Sequence, residues 1–131
     1  MKNDSPEVSQ LKTLAREALA VARDNIDRGH WRTGYNRLYY ACFYAARALL
    51  VQHGHTPQTH SGVKTQFSNH FVRTGVLDEE LSAFYGKLME ARLDSDYEAS
   101  FDPDPAQLRA WVPKAEAFID RIVDLLDNPS S

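Results

Sequence analysis

The residue best placed to do chemistry is Arg92, a cation at an apolar position of a predicted helix. It follows Leu88 by four residues and Tyr85 by seven, so helical spacing puts it on the inward stripe. An unpaired buried guanidinium is costly, and Arg92 therefore needs a partner. Asp96, one turn further on, can close a structural ion pair with it. Alternatively, Arg92 faces a polar groove and binds an anion such as a phosphate. Spacing alone favours neither interpretation.

Three of the five histidines follow the most apolar stretch of the chain within eight residues, namely His53, His55 and His60. A histidine cluster can indicate a metal site. The spacing matches no common zinc pattern and no cysteine lies nearby, so we expect no metal and no cofactor. His60 stands at the start of a predicted helix, where it can cap that helix or line the same groove as Arg92.

A second candidate surface interleaves aromatic residues with arginines on one side of a predicted helix. Aromatic rings can stack on bases while arginines contact phosphates. Alternatively, the tyrosines pack against a neighbouring helix and the arginines extend to solvent or pair with acids, which we favour for a buried helix. The candidate substrate-binding residues are Asn36, Arg37, Tyr40, Tyr44 and Arg47, together with Asp96.

The helix that carries this surface organises the rest of the chain. It is predicted to run from Tyr35 to Val51 without Gly or Pro, between Gly34 and the segment 52–54, where we expect it to stop. Apolar residues recur at helical spacing on one wide stripe, and alanines form a second stripe. A helix that is apolar almost all round is buried, so we expect the other helices to pack around it.

Helices are also predicted before and after this central one. The first ends at Gly29 and is joined to the central helix by a short connection, which favours an antiparallel hairpin. The third runs from about His60 or Ser61 to Val72, with His70 facing inward.

Two more helices complete the pattern. Asp78 is the predicted N-cap of the fourth helix and Asp104 that of the fifth, which begins with Pro105. The fifth helix also contains Pro113, where we expect a kink rather than a break. No alternating strand pattern occurs, so the sequence predicts an all-α protein, a single up-and-down bundle of about five helices.

Composition limits the class of protein. The chain has 131 residues, of which 43% are hydrophobic and 25% charged, as is typical of one globular domain over residues 1–131. Residues 1–6 and 128–131 are expected to be frayed tails. The net charge of −3 gives no global basic field for nucleic acid, and no apolar run is long enough for a membrane span. Cys42 is the single cysteine, which favours a reducing cytoplasm and a structural role for that thiol.

Three segments resemble the HEPN domain, and in particular small stand-alone prokaryotic HEPN proteins. They are RLYYACFYAARALL (37–50), THSGVKTQFSNHFV (59–72) and LMEARLDSDYEA (88–99), which occur in the family's order. The resemblance implies a helical bundle that usually dimerises. Many members of the family are metal-independent endoribonucleases. Some members are toxins encoded beside a minimal nucleotidyltransferase that serves as antitoxin.

The ribonuclease members of this family carry an arginine, then four to six residues, then a histidine. Arg92 matches the arginine, but Tyr97, Glu98 and Ala99 stand where the histidine is expected. Because a tyrosine has a pKa near 10, it is a poor general base unless strongly perturbed. Tyr97 can instead donate a hydrogen bond to phosphate, or be the tyrosine to which a partner enzyme attaches AMP. The plainer interpretation is an amphipathic tyrosine at the surface.

The resemblance and the residues together suggest one half of a toxin–antitoxin-like pair with a nucleotidyltransferase. In that hypothesis the protein is a homodimer with an RNA or nucleotide ligand, and its ribonuclease-type site consists of Arg92, Tyr97 and His60. The alternative is a non-catalytic subunit that binds a nucleotide or a partner, because the histidine of the motif is missing.

Overall fold

The computed structural model describes residues 5–128, and in this range it contains helices and no strands. The all-α prediction is therefore confirmed. One π-helical turn, Ser68–Val72, follows directly on the third helix. The α-helices are α1 (Pro6–Asp27), α2 (Trp31–Gln52), α3 (His60–Phe67), α4 (Glu79–Tyr97) and α5 (Pro105–Asp127).

The described residues begin at the N-cap of α1 and end at the C-cap of α5. Pro6 is the first residue of α1, and the Ser5 hydroxyl accepts a hydrogen bond from the Val8 amide at 3.2 Å. Pro6 was expected in the N-terminal tail, but the preorganised φ of proline makes it a good first helical residue. Asn128 caps the C-terminus of α5. The rest of the predicted tails, 1–4 and 129–131, lies outside the described residues.

Contacts between the helices fix their directions. Tyr35 meets Gln107 and Gln52 meets Leu126, so α2 runs parallel to α5. The ion pairs between α1 and α5 have the opposite order, which makes α1 antiparallel to both and confirms the predicted hairpin of α1 and α2. These ion pairs are Lys12–Asp127, Arg16–Asp120 and Arg23–Glu116.

The second helix is the centre of the bundle, as its composition predicts. It packs against each of the other α-helices, and its apolar and alanine stripes are both buried. The prediction that Gly34 precedes this helix was wrong, because α2 begins at Trp31 and includes it. A Cβ on Gly34 would lie only 2.8 Å from Cγ1 of Ile26, so the glycine allows α1 and α2 to approach closely.

The remaining helices follow the predicted caps with two differences. Asp104 accepts a hydrogen bond from the Gln107 amide at 3.0 Å, and α5 continues through Pro113 as one helix. Asp78 occupies the N-cap of α4, but within residues 5–128 its carboxylate makes no capping hydrogen bond. His70 is exposed rather than inward. None of the helices between residues 5 and 128 combines the length and apolar character needed to cross a membrane.

Candidate functional site

The site is built around Arg92, which α4 places on its inward side. The residue is only 6% exposed, as the spacing with Leu88 and Tyr85 predicts. Its guanidinium carbon lies 4.6 Å from the centroid of the Tyr39 ring and 5.7 Å from that of Tyr40. Both tyrosines belong to α2, and cation–π attraction is strongest where water is excluded. Arg92 is therefore held between α4 and α2 by aromatic faces.

His60, the first residue of α3, brings a third helix to Arg92. Its Nδ1 atom lies 2.9 Å from the Tyr39 hydroxyl oxygen and 3.3 Å from Nη2 of Arg92. A guanidinium can only donate, so Nδ1 must be the acceptor and the imidazole must be neutral, with its proton on Nε2. Of the two roles predicted for His60, the structure supports the one beside Arg92, because the cap of α3 is Thr59.

The surroundings of His60 also favour its neutral form. Partial burial lowers the pKa of the imidazole, and the positive charges of Arg92 and Arg47 lower it further. The ring is stacked on Phe43, with centroids 4.4 Å apart. At neutral pH His60 is therefore an uncharged hydrogen-bonding group in an aromatic setting.

Two more residues of α2 connect to Arg92 through Asp96. The Asp96 carboxylate lies 3.6 Å from Nη1 of Arg92 and accepts a hydrogen bond from the Asn36 amide at 3.2 Å. Asn36 in turn accepts a hydrogen bond from Nε of Arg37 at 3.0 Å. We call this connected set the Arg92 network; it comprises Arg92, His60, Tyr39, Asp96, Asn36 and Arg37.

The network has unused hydrogen-bonding capacity beneath the surface. A guanidinium offers five N–H donors. The buried Nε of Arg92 has no hydrogen-bond partner among residues 5–128, and neither has the Tyr85 hydroxyl, whose ring stacks on Tyr39. Burial raises the pKa of Tyr85 well above its ordinary value, so that hydroxyl stays protonated. Buried donors without partners are costly, and they mark a place where an acceptor would be stabilised.

The other candidate residues lie at the edge of the network or outside it. Tyr44 contacts the Tyr40 ring, and Arg47 acts on His60 through its charge. Both are half-buried. Tyr97, the last residue of α4, is 74% exposed, and five residues turn it about 140° around the helix from Arg92. The structure thus joins Arg92, His60, Asp96, Asn36 and Arg37 in one network. It places Tyr40 against Arg92, Tyr44 and Arg47 at the edge, and Tyr97 outside.

The histidines after α2 do not converge on one point. His53 Nδ1 lies 3.0 Å from the Leu49 carbonyl oxygen, whereas His55 stacks on His70 with ring centroids 3.9 Å apart. Within the described part of the chain, no group of three or more His, Cys, Asp or Glu side chains is arranged to hold a metal ion.

Sequence reasoning missed three residues that shape the site. Tyr85 was assigned only to an apolar stripe and Tyr39 was not singled out, although a buried tyrosine hydroxyl needs a partner and could have been followed as a signal. Arg32 was not considered. Its guanidinium donates to the carbonyls of Ser95, Glu98, Ala99 and Phe101, and thereby holds the C-terminal end of α4 on α2.

Comparison with known proteins covers almost the whole described chain. The family model for the HEPN domain matches residues 8–126. A UPF0332 protein of Thermotoga maritima is 36% identical over 114 residues, 87% of this chain and 86% of the relative. A UPF0332 protein of Gloeobacter violaceus is 31% identical over 71% of this chain and 74% of its own length.

A protein of Methanocaldococcus jannaschii, named as a candidate toxin, is 31% identical over 121 residues, 92% of this chain and 90% of the relative. The extent of these matches agrees with the helical bundle described above. The chain therefore belongs to the HEPN domain family.

Proposed function

We propose that this protein is the toxin-like member of a pair with a nucleotidyltransferase, and that the Arg92 network cleaves RNA without a metal ion. The observation that carries the proposal is the arrangement of Arg92 and His60. A nearly buried guanidinium, fixed between tyrosine rings, keeps a donor unpartnered beside a neutral imidazole. Arginine is suited to phosphate because its planar fork matches two phosphate oxygens.

Metal-independent cleavage of RNA uses the neighbouring 2′-hydroxyl as nucleophile. The 2′-oxygen attacks phosphorus and loses its proton to solvent, and the bond from phosphorus to the 5′-oxygen breaks. The products are a 2′,3′-cyclic phosphate and a 5′-hydroxyl. Arg92 would neutralise the charge that develops on the non-bridging oxygens. Because Nδ1 of His60 accepts hydrogen bonds within the protein, its Nε2–H would hydrogen-bond to the leaving 5′-oxygen, which takes its proton from solvent.

The residues of α2 would bind the RNA on either side of that phosphate. Tyr40 and Tyr44 are half-buried, and their rings contact one another. The Arg37 guanidinium lies 5.0 Å from the centroid of the Tyr40 ring, and Arg47 follows Tyr44 by about one helical turn. Rings and cations in this order can stack on bases and pair with phosphates. Tyr97 follows Asp96 in the chain but is exposed on another side of α4, so its hydroxyl would contact the RNA away from the phosphate that Arg92 binds.

The proposal is tested by RNA cleavage with highly purified protein in the presence of a metal chelator. Wild type should release fragments with 2′,3′-cyclic phosphate ends, and Arg92→Ala should lose at least about a hundredfold in rate. Arg28→Ala is a matched control, since Arg28 pairs with Asp24 four residues away on an exposed face. Equal rates in wild type and Arg92→Ala would rule out this site as the source of cleavage.

A second candidate function is a non-catalytic subunit that binds a nucleotide or a partner protein. Two observations favour it. No histidine follows Arg92 within α4, and the Nδ1 lone pair of His60 already accepts from Tyr39 and Arg92. The site therefore has no imidazole nitrogen that is free to act as a base. Saturable, Arg92-dependent binding of RNA or a nucleotide without any cleavage would identify this function.

Both candidate functions include the partners that the resemblance to HEPN proteins implies. We propose a homodimer in the cytoplasm that associates with a nucleotidyltransferase. The native mass in solution, measured by light scattering, would be twice that of the chain alone, 14.9 kDa. A monomeric mass at micromolar concentration would remove the dimer from the proposal.

A further inference from the structure

We infer that Asp96 is an internal competitor for the phosphate, occupying Arg92 until a polyanionic ligand displaces it. This inference deepens the proposed function and rests on the Arg92 network being a phosphate site. It assigns Asp96 a role in selectivity, since a ligand must outcompete a carboxylate of the protein itself to reach the guanidinium.

The geometry of the ion pair is that of a replaceable partner. Asp96 lies 3.6 Å from Nη1 of Arg92, whereas a charge-assisted hydrogen bond between these groups is about 2.7–2.9 Å long. The contact is single rather than bidentate, so the planar fork of Arg92 is not filled. The carboxylate therefore attracts the cation without using its strongest binding mode.

Asp96 also lies on the open side of the pair. Its side chain is 27% exposed, whereas that of Arg92 is 8% exposed. Together with Asn36 and Arg32, Asp96 lines a polar pocket of about 380 Å³. Arg92 is not among the residues that line this pocket, so a phosphate that enters it meets the negative charge of Asp96 first, and two anions at a few ångströms repel strongly where water is scarce.

A second helix holds Asp96 in the competing position. The Asn36 amide donates to the same carboxylate oxygen that faces Arg92, and Arg37 holds Asn36 from behind. RNA that pairs with Arg37 would compete for the hydrogen bond between Arg37 and Asn36. Asn36 would then hold the Asp96 carboxylate less firmly. A small free anion has no such additional contact. The arrangement therefore favours RNA over inorganic phosphate.

The test measures binding separately from cleavage. A fluorescent RNA oligonucleotide with 2′-O-methyl groups throughout cannot be cleaved by its own 2′-oxygens, and its affinity is read by anisotropy. Asp96→Asn keeps the size of the side chain and the contact with Asn36, and it should bind this RNA about tenfold or more tightly than wild type. Asp94→Asn, an exposed position on the same helix, makes the same change in net charge and should stay within about twofold of wild type.

The outcomes distinguish this inference from the proposed function. An equal gain in Asp94→Asn would reduce the effect to net charge, and weaker binding by Asp96→Asn would make Asp96 a ligand-binding residue; either result overturns the inference while the phosphate site stands. A gain that disappears when Arg92→Ala is added supports it. If neither wild type nor Asp96→Asn binds the oligonucleotide, the phosphate site itself fails and the inference fails with it.

Discussion

Nη2 of Arg92 lies 3.3 Å from Nδ1 of His60, although 32 residues separate them in the chain. The pair joins α3 to α4 over the Tyr39 ring of α2, so three helices must be in place before the site exists. A neutral imidazole is required, because a protonated one would turn an N–H towards a donor. This relationship leads to predictions about pH, about the tyrosines beneath the pair and about the helix ends that position it.

Stability should fall below neutral pH, in part because of His60. Its pKa is lower in the folded protein than the ordinary value of 6.5, so the unfolded chain takes up a proton first as the pH falls. The contribution is fully present above pH 6.5 and is lost as the pH falls towards the folded pKa. Urea unfolding at pH 7.5 and 5.5 should show a smaller loss in His60→Asn, whose amide oxygen keeps an acceptor for Arg92.

His55 provides the control for that measurement. Burial and the neighbouring His70 also lower the pKa of His55. His55→Asn should therefore remove a different part of the stability that is lost between pH 7.5 and 5.5. The losses removed by the two substitutions should add, because the residues share no contact. An unchanged acid loss in His60→Asn would mean that His60 is not held in its neutral form.

The two buried tyrosines should respond oppositely to loss of the hydroxyl group. Tyr39→Phe removes the hydrogen bond to His60 and should lower the free energy of unfolding by about 1 kcal/mol. Tyr85→Phe removes a buried hydroxyl without a partner among residues 5–128, and should be neutral or stabilising. Denaturant unfolding of both variants checks the contrast, and a large destabilisation by Tyr85→Phe would contradict it.

Two glycines inside helices should differ in their tolerance of alanine. Gly34→Ala places a Cβ 2.8 Å from Ile26 in the close contact of α1 and α2, which should cost about 1–3 kcal/mol of stability. Gly86→Ala meets the end of the flexible Lys64 side chain at 3.2 Å. Since alanine is the better helix former, Gly86→Ala should stabilise by up to about 1 kcal/mol. Thermal unfolding of both variants compares the two positions.

Arg32 should control the end of α4 that carries Asp96. Its guanidinium donates hydrogen bonds to four backbone carbonyls. Arg32→Ala should therefore raise the hydrogen-exchange rates of the Glu98 and Phe101 amides by about tenfold. Arg109→Ala is a control, because Arg109 also rests on an aromatic ring near the start of α2 but donates to none of these carbonyls. Unchanged exchange in Arg32→Ala would show that α4 ends without its help.

Local sequence patterns were enough to predict the helices and the inward position of Arg92. Its spacing from Leu88 and the nearness of Asp96 are properties of one helix, which periodicity captures. The contact with His60 depends on how α3 packs on α4, and no pattern within either helix encodes it. The sequence offered His60 only as a candidate, and packing made it a neighbour of Arg92.

Two mispredictions have physical reasons of the same kind. Gly34 was interpreted as a helix boundary because glycine weakens helices, but the close approach of Ile26 requires a residue without a Cβ. His70 was predicted to face inward by α-helical spacing. The π-helical turn over Ser68–Val72 has more residues per turn, so it rotates His70 outward and keeps Phe71 buried.

The most direct measurement is the NMR resonance of the Arg92 Nε–H group, assigned by comparison with Arg92→Lys. This proton is buried without a partner among residues 5–128. Addition of the 2′-O-methyl RNA should shift the resonance downfield in a saturable way, because a phosphate oxygen accepts a hydrogen bond from this N–H. The midpoint of the shift should equal that of the anisotropy titration. A complex that forms while this resonance stays unchanged would contradict the account, since the RNA would then bind elsewhere on the bundle.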